Sequence, residues 1–275
     1  MAGERGPSRV RQTLGSPSVS RVYRALVVLT VVVLAALAAE ASAAERAPAR
    51  VAAERSVIGH SVRGRPIVVV RSGATDPALK LLVVGDIHGN ETAGMPVARR
   101  LIRQGAPAGA GLWVVPTINP DGVAADTRGN AHGVDLNRNF GYDWAPLTDS
   151  EYSGAGPLSE PESRAATRLI RRVQPDLTIW FHQPFGIVDR PPGNPFIARR
   201  YAQLSGLPMV TLPGRYPGSA SRWQNHAFPA STAFVVELPA RVSGALSRRA
   251  TAALRSLAAE LASPGLDSAG AAGSG

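Results

Sequence analysis

The stretch that most constrains this chain is Gly85-Asp86-Ile87-His88-Gly89-Asn90-Glu91, entered from the apolar run Leu81-Leu82-Val83-Val84. An apolar run that ends in a glycine-broken turn predicts a buried strand, and the pattern from Thr92 to Arg103 predicts a helix after it. Strand, turn and helix in that order belong to an open α/β sheet. Ligands of such sheets bind beyond the carboxyl ends of the strands, where loops splay apart and helix amino termini point into the crevice. His88 and Glu91, three residues apart on the expected first helical turn, can both reach one cation there. Zinc accepts imidazole nitrogen and carboxylate oxygen and needs at least one more protein ligand. Because the chain has no cysteine, that ligand is a histidine or a carboxylate, and thiol nucleophiles and disulfides are excluded.

The rest of the chain repeats the strand-and-turn pattern. Val57-Ile58 and Pro66 to Val70 suit two strands around the turn Val62 to Arg65, and Leu112 to Pro116 is a second buried strand running into the turn Thr117 to Gly122. Thr127 to Phe140 is polar and glycine-broken, as expected of a long functional loop. Its Arg128, Asn137 and Arg138 offer paired guanidinium donors, with a neutral amide beside them, for carboxylates and oxyanions. Ser159-Glu160-Pro161-Glu162 predicts a helix start with Ser159 as cap. Glu160 and Glu162 are read as structural, and the helix runs to Val173 with Ala165, Leu169, Ile170 and Val173 inward.

Leu177 to Phe181 is a third buried strand, and His182 follows it at once. It lies far beyond Glu91 in sequence yet occupies the same kind of place, a strand end, and is taken as the third ligand. Leu212 to Trp223 reads as a loop carrying Tyr216 and Arg222. Ala233 to Pro239 is a strand with Glu237 inside it. A carboxylate in such a run is costly to desolvate unless it is paired, metal-bound or functional, which makes Glu237 the candidate general base. Ser243 to Leu261 predicts a closing amphipathic helix. His60, His132 and His226 are not expected at the metal. Asp86 and Asp135 are candidates for orienting ligand imidazoles, a role that a backbone carbonyl fills equally well.

Residues 1 to 44 combine a basic start with the apolar run Ala25 to Ala39, short of the about 20 residues a bilayer span needs, and a small-x-small site at Ala41-Ser42-Ala43. This predicts a secretory signal peptide, or an uncleaved anchor, and an extracytoplasmic catalytic domain over 45–262. The tail 263–275 is Gly, Ala and Ser and is expected to be disordered. The net charge is +10, of which the first 44 residues hold +3. The arginine pairs lack interleaved aromatics, so a solvated helix face is favoured over a nucleic-acid groove.

Taken in order, IGHSVRGRPI from Ile58, GDIHGNETAG, NPDG, TRGNAHGVDLNRNF, SEPES, FHQP and FVVELP resemble the zinc carboxypeptidases, and among them the bacterial murein peptide amidases that cut peptidoglycan stem peptides. The likeness covers nearly the whole expected catalytic domain. It implies a single α/β domain with a mixed, mostly parallel sheet and helices on both faces. It also implies one Zn2+ held by His88, Glu91 and His182, with Glu237 as general base and Arg128 as oxyanion stabiliser. Asn137 and Arg138 would grip a free substrate carboxylate, Tyr216 lies near the family's mobile tyrosine, and Arg222 lies near the specificity pocket. The expected activity is hydrolysis of an amide beside a carboxylate-bearing residue, of the D-glutamyl to diaminopimelate type. A general carboxypeptidase and an aspartoacylase-like N-acyl amino acid deacylase are the alternatives. The expected partners are a peptide or muropeptide and the cell envelope, with no nucleic acid, and the protein is expected to be a monomer.

Overall fold

The computed structural model describes residues 50–192 and 195–262, so the expected signal segment and the tail 263–275 lie outside the described residues. The elements run β1 (Arg50–His60), β2 (Pro66–Ala74), β3 (Leu79–Val84), α1 (Gly94–Gln104), β4 (Ala110–Val115), α2 (Pro120–Ala125), α3 (Pro161–Val173), β5 (Leu177–His182), β6 (Phe185–Asp189), α4 (Phe196–Ser205), β7 (Met209–Val210), α5 (Ala220–Ala227), β8 (Thr232–Pro239) and α6 (Gly244–Leu261). One sheet contains all eight strands in the order β1-β2-β4-β3-β5-β8-β6-β7. Its centre, β4-β3-β5-β8, is parallel, while β1, β2 and β6 join antiparallel. The mixed sheet follows expectation.

Alternation along the central strands explains why they read as unbroken apolar runs. Leu81 and Val83 of β3 pack with Val97 and Leu101 of α1 and Leu254 and Leu257 of α6. Leu82 and Val84 pack on the opposite face with Leu169 and Ile170 of α3 and Trp223 of α5. A strand covered on both faces has no polar side to show. The parallel strands also deliver their carboxyl ends to one edge. There β3 runs into Gly85 to Glu91, β4 runs into the turn before α2, β5 ends at His182, and β8 carries Glu237 in register with His182.

Three local expectations are corrected. His88 and Glu91 do not lie on a helical turn: α1 starts at Gly94, and a separate turn closed by Glu91 N–H to the His88 carbonyl at 2.7 Å presents both side chains. Ser159 is not the cap of α3. Glu160 occupies that position in extended conformation, because the Ser159 hydroxyl is taken up by Glu160 Oε1 at 2.8 Å and the Asn139 amide at 2.9 Å. Arg222 and Trp223 are not in a loop but on α5, as is His226. The preceding loop is pinned where Gly218 comes so close to the Arg138 carbonyl that a Cβ would stand 2.1 Å from its oxygen. The segment between His182 and Leu212, which carries no predicted element, folds as β6, α4 and β7. The inward positions expected of α3 and the span expected of α6 are observed, with Ser243 capping α6 through Leu246 N–H at 3.1 Å.

Candidate active site

Glycine packing builds the cradle first. A Cβ on Gly89 would stand 1.9 Å from the carbonyl carbon of Gly122, so the turn carrying His88 and Glu91 sits directly on the turn that opens α2. Asn119 locks this contact by donating to the Ile87 carbonyl at 3.2 Å and accepting from Gly122 N–H at 2.9 Å. The end of β5 is brought in by Gln183, whose backbone N–H donates to Glu91 Oε2 at 3.1 Å. Its side chain accepts from Ala93 N–H at 2.9 Å and donates to the Pro239 carbonyl at 3.1 Å. Gln183 thereby ties β5, α1 and β8 together. Sequence reasoning missed it, although its place directly after His182 was a usable signal.

His88, Glu91 and His182 converge, with one ligand atom of each lying within 4.8 Å of the others. His88 Nδ1 is 3.0 Å from Glu91 Oε1, and His182 Nδ1 is 3.1 Å from Glu91 Oε2. His88 Nε2 faces Asp135 Oδ1 at 2.9 Å. That acceptor places the ring hydrogen on Nε2 and leaves the Nδ1 lone pair aimed into the cluster, the tautomer a metal needs. Nδ1 itself is buried, and its 3.0 Å approach to Glu91 Oε1 lacks hydrogen-bond geometry, so its lone pair is one a cation would satisfy. The donor set, two imidazoles and a carboxylate, fits zinc with one position left for water. Asp135 takes up the orienting role offered for it. Asp86 does not: it accepts from the Thr117 hydroxyl, and burial pushes its carboxyl up to about 7. Neither His60, His132 nor His226 belongs to the cluster among the described residues; His132 Nδ1 pairs with Glu160 at 2.8 Å and His226 stacks on Tyr142.

The charges around this cluster are strongly coupled. Burial opposes ionisation of Glu91, but the imidazoles of His182 and His88 hold its carboxyl well below the usual range. Burial likewise disfavours charge on His88, yet Asp135 and Glu91 outweigh it and raise the imidazole to about 9, so a dication that binds at Nδ1 does so by displacing the second ring proton. His182 is pushed down, by burial and by the neighbouring His88. Glu237 is buried, its Oε2 has no hydrogen-bond partner, and burial together with the Glu91 charge pushes its carboxyl up to about 8. A dication at the cluster acts in the opposite sense and favours the carboxylate.

The remaining predicted residues line the same cavity, of about 290 Å3. Arg128 reaches Glu91 Oε1 at 2.8 Å and Asp135 Oδ2 at 2.8 Å. Asn137 is anchored by Ala220 N–H at 3.0 Å, and its amide nitrogen lies 3.5 Å from His182 Nε2. Arg138 is buried and paired with Glu151, a residue sequence reasoning passed over. Tyr216 donates to the Pro213 carbonyl at 2.8 Å, and its ring lies beneath the guanidinium groups of both Arg138 and Arg222. Asp189, at the end of β6, also lines the cavity. No element was predicted there, so nothing singled it out.

A parallel-centred sheet with a two-histidine, one-carboxylate cluster at its carboxyl edge and a buried glutamate beside it defines a zinc metallopeptidase. The chain belongs to the zinc carboxypeptidase family, whose profile matches residues 41–194. It is similar to murein peptide amidase A of Escherichia coli strain K12, at 32% identity over 180 residues that span 60% of this chain and 74% of that one. Among solved structures it is similar to the murein-tripeptide amidase MpaA of Escherichia coli O157, with TM-score 0.58 and 29% identity over 75% of this chain and 91% of that one. The carboxypeptidase A of Helicoverpa armigera shares the fold, with TM-score 0.64 at 19% identity over 75% of this chain and 69% of that one.

Proposed function

We propose that this chain is an extracytoplasmic zinc amidopeptidase that cuts peptidoglycan stem peptides at the bond between D-glutamate and a diaminopimelate-type residue. One observation carries the reading: the His88, Glu91 and His182 cluster opens into a cavity that also holds Glu237, Arg128 and the buried Arg138. Zinc at the cluster supplies the Lewis acidity that makes water a nucleophile near neutral pH and polarises the scissile carbonyl. Glu237, with an unpartnered buried oxygen, takes the proton from the attacking water and passes it to the leaving amine. Arg128 donates to the carbonyl oxygen as negative charge develops on it, a contribution of roughly 3 kcal/mol for a donor of this kind. Asn137 and Arg138 hold the free carboxylate of the leaving residue. The names of the similar amidases support the murein substrate, and the expected signal peptide supports an envelope location.

The zinc-loaded protein is incubated with muropeptides and, separately, with ordinary peptides, and the products are read by mass spectrometry. Release of diaminopimelate-containing fragments is expected. Stepwise loss of carboxyl-terminal L-residues alone would select a general carboxypeptidase instead. A Glu237→Gln protein is expected to keep its zinc and lose most turnover; near-normal activity at full metal content would refute Glu237 as the base.

A further inference from the structure

The cavity that receives the leaving residue contains an acid and a guanidinium, Asp189 and Arg222, in addition to the carboxylate-gripping Asn137 and Arg138. Among the described residues the two do not pair with each other. Asp189 accepts from Leu212 N–H at 3.2 Å. Among the described residues Arg222 finds no hydrogen-bond or ion-pair partner; its guanidinium carbon rests 5.6 Å from the centre of the Tyr216 ring. Asp143, the other acid that Arg222 senses, is occupied by Arg215 at 2.5 Å. A guanidinium stacked on a ring keeps its in-plane N–H donors free. Arg138 rests 5.2 Å from the same ring, so one aromatic plate spaces two separate carboxylate-binding forks.

Apart from Glu91 at the metal cluster, Glu151 on Arg138 and the base Glu237, the acid that lines the cavity is Asp189, and the pair it makes with the unpaired Arg222 guanidinium is satisfied by neither an ammonium nor a carboxylate alone, since each would leave one charge partly desolvated and unmatched. We propose that Asp189 and Arg222 together read an amino-acid head group at the far end of the leaving residue's side chain, Asp189 taking the ammonium and Arg222 the carboxylate. The leaving residue is then one with two amino-acid termini, of which the first sits on Asn137 and Arg138. Diaminopimelate has that chemistry. Lysine is the same residue without the distal carboxylate, 2-aminopimelate the same without the distal amine, and norleucine lacks both. The inference rests on the reading of this cavity as the leaving-residue pocket.

The test measures kcat/KM of the zinc-loaded protein on these four leaving residues, each joined to a γ-D-glutamyl group and, in parallel, to an N-benzoyl group. Wild type is expected to favour diaminopimelate over lysine and over 2-aminopimelate by about 10- to 100-fold each, the size of one charge-assisted contact. Asp189→Asn is expected to abolish the preference over 2-aminopimelate, and Arg222→Gln the preference over lysine. Calorimetry of free diaminopimelate, lysine and 2-aminopimelate on the zinc-loaded wild type and both variants is expected to give the same ranking without turnover. Ratios unchanged in both variants, an equal fall on all four residues, or no discrimination by wild type would overturn the proposal. Indifference to the γ-D-glutamyl group, with the side-chain ratios intact, would overturn the murein reading and leave the pocket assignment standing.

Discussion

Single residues carry the chemistry here, and several act through a neighbour. Asp135 touches both His88 and Arg128, so it positions a residue of the metal cluster and a cation that lines the cavity at once. Asp135→Asn is expected to weaken zinc binding by about 10- to 100-fold, measured by competition with a chromophoric chelator, whether or not activity survives. Glu151 is a second case. It neutralises Arg138 from a half-exposed position, so under the proposed function an incoming substrate carboxylate has to displace it. Glu151→Gln is expected to lower KM about two- to fivefold for substrates with a free carboxylate, with kcat moving less. Asp135 was visible in the sequence as one of two acids that could orient a ligand imidazole. Glu151 was not, because a lone glutamate in a polar loop looks like any solvated charge until the fold places it on Arg138.

At the scale of elements, the site depends on how closely two turns can approach. Gly89 lies against the backbone of Gly122, while Gly156, in another loop, has nothing within 4 Å of a built Cβ. Gly89→Ala is expected to destabilise by about 1–3 kcal/mol, a fall of roughly 2–4 °C in Tm per kcal/mol, and to reduce zinc affinity. Gly156→Ala serves as the control and is expected to leave both unchanged. The elements that are buried on both faces were legible from sequence because their composition has no polar alternative. Those from Phe185 to Val210 were not. The strands there are five and two residues long, too short for periodicity to register, although Ala198, Tyr201 and Ala202 of α4 carry a helical spacing that is buried as such.

For the molecule as a whole, acids tie the sheet's edge turn to the helices. Asp121 of α2 accepts from Arg63 N–H at 2.9 Å and from Arg65 at 2.5 Å, and Glu162 of α3 accepts from Val62 N–H at 3.0 Å. Burial opposes charge on Asp121, but the Arg63 N–H and the Arg65 guanidinium hold its carboxyl below the ordinary 3.8. Its folded value is therefore lower than its unfolded one. The stability it contributes is fully present above the unfolded value and is lost as pH falls through the folded one. Thermal melts from about pH 5 to 2.5 are expected to show an acid limb that Arg65→Met makes shallower, with wild type and variant converging at the acid end; parallel curves would count against this linkage. What the sequence by itself determined was the alternation of buried strands and turns, and the residue types a zinc site requires, because periodicity and donor chemistry are local properties. Only the tertiary structure decided that His182, 91 residues past Glu91, meets it, that Asp135 serves His88 where Asp86 does not, and that Asp189 faces the same cavity as Arg222. Those facts follow from strand register and loop packing between segments distant in the chain, which no single stretch encodes.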